Sequence, residues 1–141
     1  AEAVGKAPAD GYTLLLIGTN FWITPFLQKM PYDPIADFAP LSFLARSPII
    51  SELPTLAESG FPDFEAISWF GLLAPAGTPA AVVGKLHADI VQIAAQADMR
   101  ERIAQLGLEA SLSSPEEFAV VIKSDTAKWA KVIRALNIKA D

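Results

Sequence analysis

Few side chains in this sequence have the chemistry for acid–base or nucleophilic work. His87 is the single imidazole, Glu116 and Glu117 are adjacent glutamates, and Tyr32, Asp33 and Asp37 make a small acidic turn. Tyr32, Asp33 or His87 acting as acid or base on a carboxylate-type substrate is one function class to weigh. Each has a plainer explanation. Asp33 and Asp37 lie in Pro31-Tyr32-Asp33-Pro34 and Asp37-Phe38-Ala39-Pro40, where aspartate accepts from nearby amides. Ser114-Pro115-Glu116-Glu117 reads as a capping box, in which the serine and the second glutamate satisfy each other's backbone donors. His87 sits beside an apolar helical stripe. There is no Gly-x-Ser-x-Gly elbow, phosphate loop, dinucleotide fingerprint, histidine pair or cysteine. No catalytic residue is assigned from spacing, and neither a metal nor a cofactor is expected.

The elements that must carry these residues read as an α/β domain with about three strands. A helix end at Ala1–Ala7 is stopped by Pro8-Ala9-Asp10-Gly11, a proline that cannot continue it and a glycine free to take positive φ. Tyr12–Ile17 is apolar without alternation, the pattern of a strand covered on both faces, and is the expected central strand; Gly18-Thr19-Asn20 ends it. Thr24 is expected to cap a short helix begun by Pro25. A second strand is expected over Leu41–Ala45, a helical turn over Thr55–Glu58, and a third strand over Phe64–Ala74, with Gly71 as a bulge or close approach. Thr78-Pro79 should open a helix whose Val82, Val83, Leu86, Ile90, Ile93 and Ala94 face the sheet. Asp98 should cap a shorter helix ended by Gly107. The Ser114 box should open a long amphipathic helix through Phe118, Val121, Ile122, Trp129, Val132, Ile133 and Leu136.

Composition narrows the function classes. The 141 residues are 52% hydrophobic, enough for a core without disulfides or metals, and the net charge is -5. With 16 acidic against 11 basic residues and no basic run, nucleic acid is excluded as an expected partner. No apolar stretch approaches the roughly 20 residues of a membrane span, so membrane insertion is not expected.

Several segments together are specific. Ala7-Pro8-Ala9-Asp10-Gly11-Tyr12-Thr13-Leu14-Leu15, the two Asp/Pro turns, Leu53-Pro54-Thr55-Leu56-Ala57-Glu58-Ser59-Gly60, Trp69-Phe70-Gly71-Leu72-Leu73-Ala74-Pro75-Ala76-Gly77-Thr78-Pro79 and Lys128-Trp129-Ala130-Lys131-Val132-Ile133 resemble the tripartite tricarboxylate transporter substrate receptors, the Bug receptors. The resemblance implies a periplasmic two-lobed receptor that binds small carboxylates for a membrane permease. It also implies that residues 1–141 form one domain, part of a type II periplasmic-binding-protein lobe with a long C-terminal helix. The first two strands of the family's pattern would be missing, and its second lobe would be deleted near residues 45–47.

Carried over by resemblance, the residues near the family's cleft are Gly18, Thr19 and Asn20, with Trp69 and Phe70. Thr19 and Asn20 can donate to a carboxylate, and the following helix adds amides. The competing expectation is that Thr19 and Asn20 merely end a strand, and that Trp22, Trp69 and Trp129 are core or interface aromatics. A third class is an interaction domain. With the first strands gone, the Tyr12–Ile17 strand would present an apolar edge, predicting a homodimer that buries Leu14, Leu16, Phe21 and Trp22.

Overall fold

The computed structural model describes residues 1–47 and 67–138. The expected helical turn at Thr55–Glu58, and the start of the third strand at Phe64, lie outside them. A short helix α1 (Glu2–Gly5) is followed by β1 (Leu15–Gly18), α2 (Asn20–Leu27), β2 (Phe38–Ser47), β3 (Ser68–Pro75), α3 (Ala80–Ala94), α4 (Ala97–Gln105), β4 (Glu109–Ala110) and α5 (Pro115–Leu136). The turn before β1 does need glycine. Gly11 has φ +89°, and a Cβ there would stand 2.4 Å from Val82 Cγ1.

The strands form one antiparallel sheet in the order β1-β3-β2-β4. β1 is therefore an edge strand, not the central one; among the described residues it pairs with β3 alone. The unbroken apolar run does not report coverage of both faces either, since Ile17 is buried while Leu16 is 63% exposed, and it carries no information about how many strands lie beside it. β2 is longer than expected because Pro40 fits at a register irregularity between Pro40 and Ser42, where a missing N–H removes no ladder bond. β4 was not expected. It is two exposed residues long, and its pattern is too short to read.

Alternation along the strands sorts their side chains onto two faces. One face carries Ile17, Phe43, Trp69 and Leu73 against Phe21 and Trp22 of α2 and Phe118 and Ile122 of α5. Here Trp69 stacks between Trp22 and Phe43, with centroids at 5.2 and 5.5 Å, and Phe118 stands edge-on to Trp69 at 5.4 Å. Phe118 comes this close because Gly71 is a close approach, as expected. A Cβ at that position would be 2.2 Å from Phe118 Cζ. The other face carries Leu16, Leu44, Phe70 and Leu72, which line an apolar groove of about 350 Å³ under α3 and α4. No residue of α3 is buried, so this helix covers the sheet loosely.

Some local expectations change. Phe21 and Trp22 are not left for an interface; they are 8% and 0% exposed inside the chain's own core. α2 starts at Asn20 and contains Pro25, while the Thr24 hydroxyl donates back to Asn20 O at 2.8 Å instead of capping. The helix starts earlier because burying Phe21 and Trp22 stabilises the extra turn more than the lost Pro25 N–H weakens it. Thr78 also does not cap: its hydroxyl donates to Pro75 O at 2.7 Å, and Pro79 holds the N-cap position. α4 starts at Ala97 with Asp98 in its first turn, and Leu136 is exposed at the end of α5. Two caps match the expectation. Ser114 and Glu117 make both bonds of the capping box, and Gly107 follows α4 with φ +71°.

Candidate functional site

β1 delivers its last residues to the same end of the sheet at which β3 begins. Gly18 pairs with Phe70 in the antiparallel register, and the Trp69 N–H donates to Thr19 Oγ1 at 3.1 Å. The bond ties the strand-to-helix loop to β3 and uses one lone pair of the Thr19 hydroxyl, leaving its proton to donate elsewhere. Asn20, exposed, opens α2, whose first amides have no partner within the helix. Gly18 and Asn20 line an open hollow of about 300 Å³ with Phe21, Thr24, Met30 and Tyr32.

Trp69 and Phe70 part company, because neighbouring strand residues point to opposite faces. Phe70 lines the apolar groove beneath α3 and α4, away from the hollow. Trp69 is 3% exposed in the aromatic core, and its indole N–H donates to Asp125 Oδ2 at 2.6 Å. Of the five residues carried over by resemblance, Gly18, Thr19 and Asn20 thus form one loop. Trp69 supports that loop through its backbone.

On the far side of Trp69 lies a cavity of about 180 Å³ lined by Phe43, Arg46, Trp69, Asp125, Lys128 and Trp129, among others. Arg46, Asp125 and Lys128 are not among the residues carried over to the family's cleft by resemblance. The only signal was the spacing of Asp125, Lys128 and Trp129 on one side of a helix; their meeting with Arg46 is a matter of tertiary packing.

The acid–base candidates have structural work to do. Asp33 Oδ1 accepts from Ile35 N and Ala36 N at 2.8 and 2.9 Å, and the Ala36 and Ile35 amides hold its carboxyl below the usual aspartate range. Asp37 Oδ2 accepts from Asp33 N at 2.8 Å. Tyr32 stacks on Phe21 at 5.3 Å, and burial raises its phenol above the ordinary tyrosine value, disfavouring the phenolate. His87 lies apart on α3; its Nδ1 is buried with no partner among the described residues. Among those residues no group of three His, Asp or Glu side chains is placed to hold a metal ion. No described helix is long and apolar enough to cross a membrane.

This antiparallel sheet with helices on both faces and a glycine-bearing strand-to-helix loop at one end has the fold of known periplasmic binding proteins over most of the chain. The chain superposes on the periplasmic binding protein BugD with a TM-score of 0.85 at 19% identity, covering 99% of this chain and 83% of that one. An adipate-bound R. palustris protein, Rpa4515, gives a TM-score of 0.81 at 19% identity over 98% of this chain and 82% of its own. Malate-bound MatC from Rhodopseudomonas palustris gives 0.81 at 18% identity over 94% of this chain and 82% of its own. Residues 46–138 match the tripartite tricarboxylate transporter family receptor, and the chain belongs to that family. A relative described as a UPF0065 protein in the tcbD-tcbE intergenic region of Pseudomonas sp. strain P51 is 40% identical over 99 residues, 70% of this chain and 30% of the relative. The chain thus spans about a third of the length of the curated relatives it first matches, 30% and 29%.

Proposed function

We propose that this chain is a receptor lobe that captures a small carboxylate for a tripartite permease, in the periplasm and without a cofactor. The observation that carries this reading is the Gly18-Thr19-Asn20 loop, pinned by the Trp69 amide and opening directly into the N-terminus of α2. Amides at a helix start favour an anion, and the Thr19 hydroxyl and Asn20 amide add donors beside them. Two proteins of the same fold hold adipate and malate, so a dicarboxylate is the first ligand class to try. The described fold corresponds to lobe 1, joined near residues 45–47 across the position of a second lobe. The family match starting at residue 46 supports that junction, and β2 runs through it without a break.

Isothermal titration with malate and adipate tests the reading. Saturable binding, weakened roughly tenfold or more by Asn20→Ala or Thr19→Val, is expected for loss of a charge-assisted hydrogen bond. Absence of saturable binding to any small carboxylate removes it.

Self-association is part of the same proposal. The outer edge of β1 has no strand partner among the described residues, and Leu16 on it is 63% exposed. A second copy pairing along this edge would cover Leu16 and satisfy the strand's free amides and carbonyls.

A further inference from the structure

We propose that the groove running along α5, between that helix and the α2-to-β2 segment, is the docking site for an acidic amphipathic helix of a partner protein. Two hollows make up the groove, one of about 610 Å³ and one of about 240 Å³, and they share Ile35 and Lys123. The α5 residues lining them, from Ala119 to Arg134, recur at spacings of three and four and so lie on one face of the helix. That stretch is about 22 Å long, which matches a partner helix of about 15 residues. Phe26 of α2 and Ile35 line the floor together with Ala127 and Ala130. Ile35 is 45% exposed, and its turn is held by the Asp33 carboxylate, which accepts from the Ile35 and Ala36 amides. Thr126 turns its hydroxyl back to Ile122 O at 2.6 Å, so it asks nothing polar of an occupant.

The rim of the groove is cationic. Lys123, Lys131 and Arg134 line it, no aspartate or glutamate does, and none of the three is in an ion pair among the described residues. Arg134 complements the helix dipole in the last turn of α5. Lys123 lies mid-helix, where that reason fails, and Lys131 and Arg134, three residues apart, repel each other. In a chain with 16 acidic and 11 basic residues, three cations gathered round an apolar floor are complementary to a partner that is apolar on one side and acidic at its margins. The larger hollow is walled by α2, α5 and the turn between α2 and β2, with no strand edge in its lining. It offers no ladder of backbone groups, so the partner must satisfy its own backbone, as a helix does. A second copy does not supply that helix: α2, α3, α4 and α5 each carry no more acids than bases. A membrane surface fits less well, because three cations fall short of the roughly four to eight of a lipid-binding cluster and the net charge is -5. The groove shares no lining residue with the hollow beside Asn20, so the two sites stand or fall separately.

The test adds to the intact chain a labelled synthetic peptide of about 15 residues, with leucine at i, i+3, i+4 and i+7 spacing and glutamate elsewhere. The same peptide with lysine in place of glutamate is the control; anisotropy reads binding and circular dichroism reads peptide helicity. Saturable binding of the glutamate peptide is expected, with a gain in helicity and a loss of affinity as salt rises. The lysine peptide should bind roughly tenfold or more weakly, although the net charge of the chain favours it. Ile35→Glu, at an exposed position, should weaken the glutamate peptide roughly tenfold or more. Reversing the rim with Lys123→Glu, Lys131→Glu and Arg134→Glu together should exchange the preference, a gain of lysine-peptide binding that misfolding does not produce; should that variant fail to fold, Lys131→Glu alone should weaken the glutamate peptide. No saturable binding of the glutamate peptide, equal affinity for the two peptides, or wild-type affinity in folded Ile35→Glu would each overturn the proposal. Rim-dependent binding to phosphatidylserine vesicles without binding of the peptide would overturn it in favour of a membrane surface. Binding that appears only after Glu52, Glu58, Asp63 and Glu65 are replaced by their amides would overturn it in favour of the chain's own acidic stretch.

Discussion

Among the described glycines, Gly71 makes the tightest fit, against Phe118. The ring occupies the space of a side chain, with Cζ 2.2 Å from where a Cβ would be, and Phe118 is wholly buried among Phe43 and Trp69. Gly71→Ala must therefore displace the ring or bend β3, and a loss of about 1–3 kcal/mol is expected from overpacking; urea denaturation with far-UV circular dichroism reads it. Phe118→Ala, which leaves a cavity instead, is expected to cost about 3–5 kcal/mol. Asp33 gives a prediction in pH. Its folded-state pKa is lowered by the Ala36 and Ile35 amides, so its stabilising contribution is present above the ordinary value of about 3.9 and is lost as pH falls through the lower folded value. Unfolding free energies of wild type and Asp33→Asn should differ most near neutrality and converge in acid. A gap that widens as pH falls would contradict the assignment.

Helix ends show how local bonds set element boundaries. The Ser114 hydroxyl accepts from Glu117 N at 3.1 Å, and the Glu117 carboxylate accepts from Ser114 N at 2.9 Å. Ser114→Ala should cost about 1 kcal/mol, seen as a lowered Tm with fraying confined to the first turn of α5 in hydrogen exchange. That turn matters beyond its own stability, because it sets the rotation of α5 and thereby aims Phe118 at Gly71 and Asp125 at Trp69. At the start of α2 the situation differs. No side chain caps the helix, and its first amides have no partner within the helix.

At the scale of the whole molecule, the sheet ends in β4 on one side and in β1 on the other, with no strand beyond β1 among the described residues. β4 closes one edge briefly, while β1, at the opposite edge, is apolar, unprotected by charge or proline, and carries exposed Leu16. Sedimentation velocity at micromolar concentration should find a dimer, and Leu16→Lys should shift it toward monomer by placing a charge on the edge. A wild-type chain that sediments as a monomer would contradict edge pairing. Phe21 and Trp22 do not contribute to such an interface, since α2 folds them inward.

By itself the sequence determined what depends on neighbours a few residues apart: the Gly11 turn, the Ser114 box, the Gly107 stop, and the long amphipathic α5. These bonds close over short separations, three residues in the box, so they form wherever the rest of the chain goes. The close approach at Gly71 was also legible, as a glycine inside an apolar strand. Only the tertiary structure decided that β1 lies at an edge, that Trp69 and Phe70 serve opposite faces, and that Thr19 is held by an amide 50 residues away. Likewise the indole of Trp69 meets Asp125 across 56 residues. The physical reason is that strand order and cross-sheet contacts are chosen by the packing of whole faces against one another, a long-range competition that leaves no periodic mark at the residues it brings together.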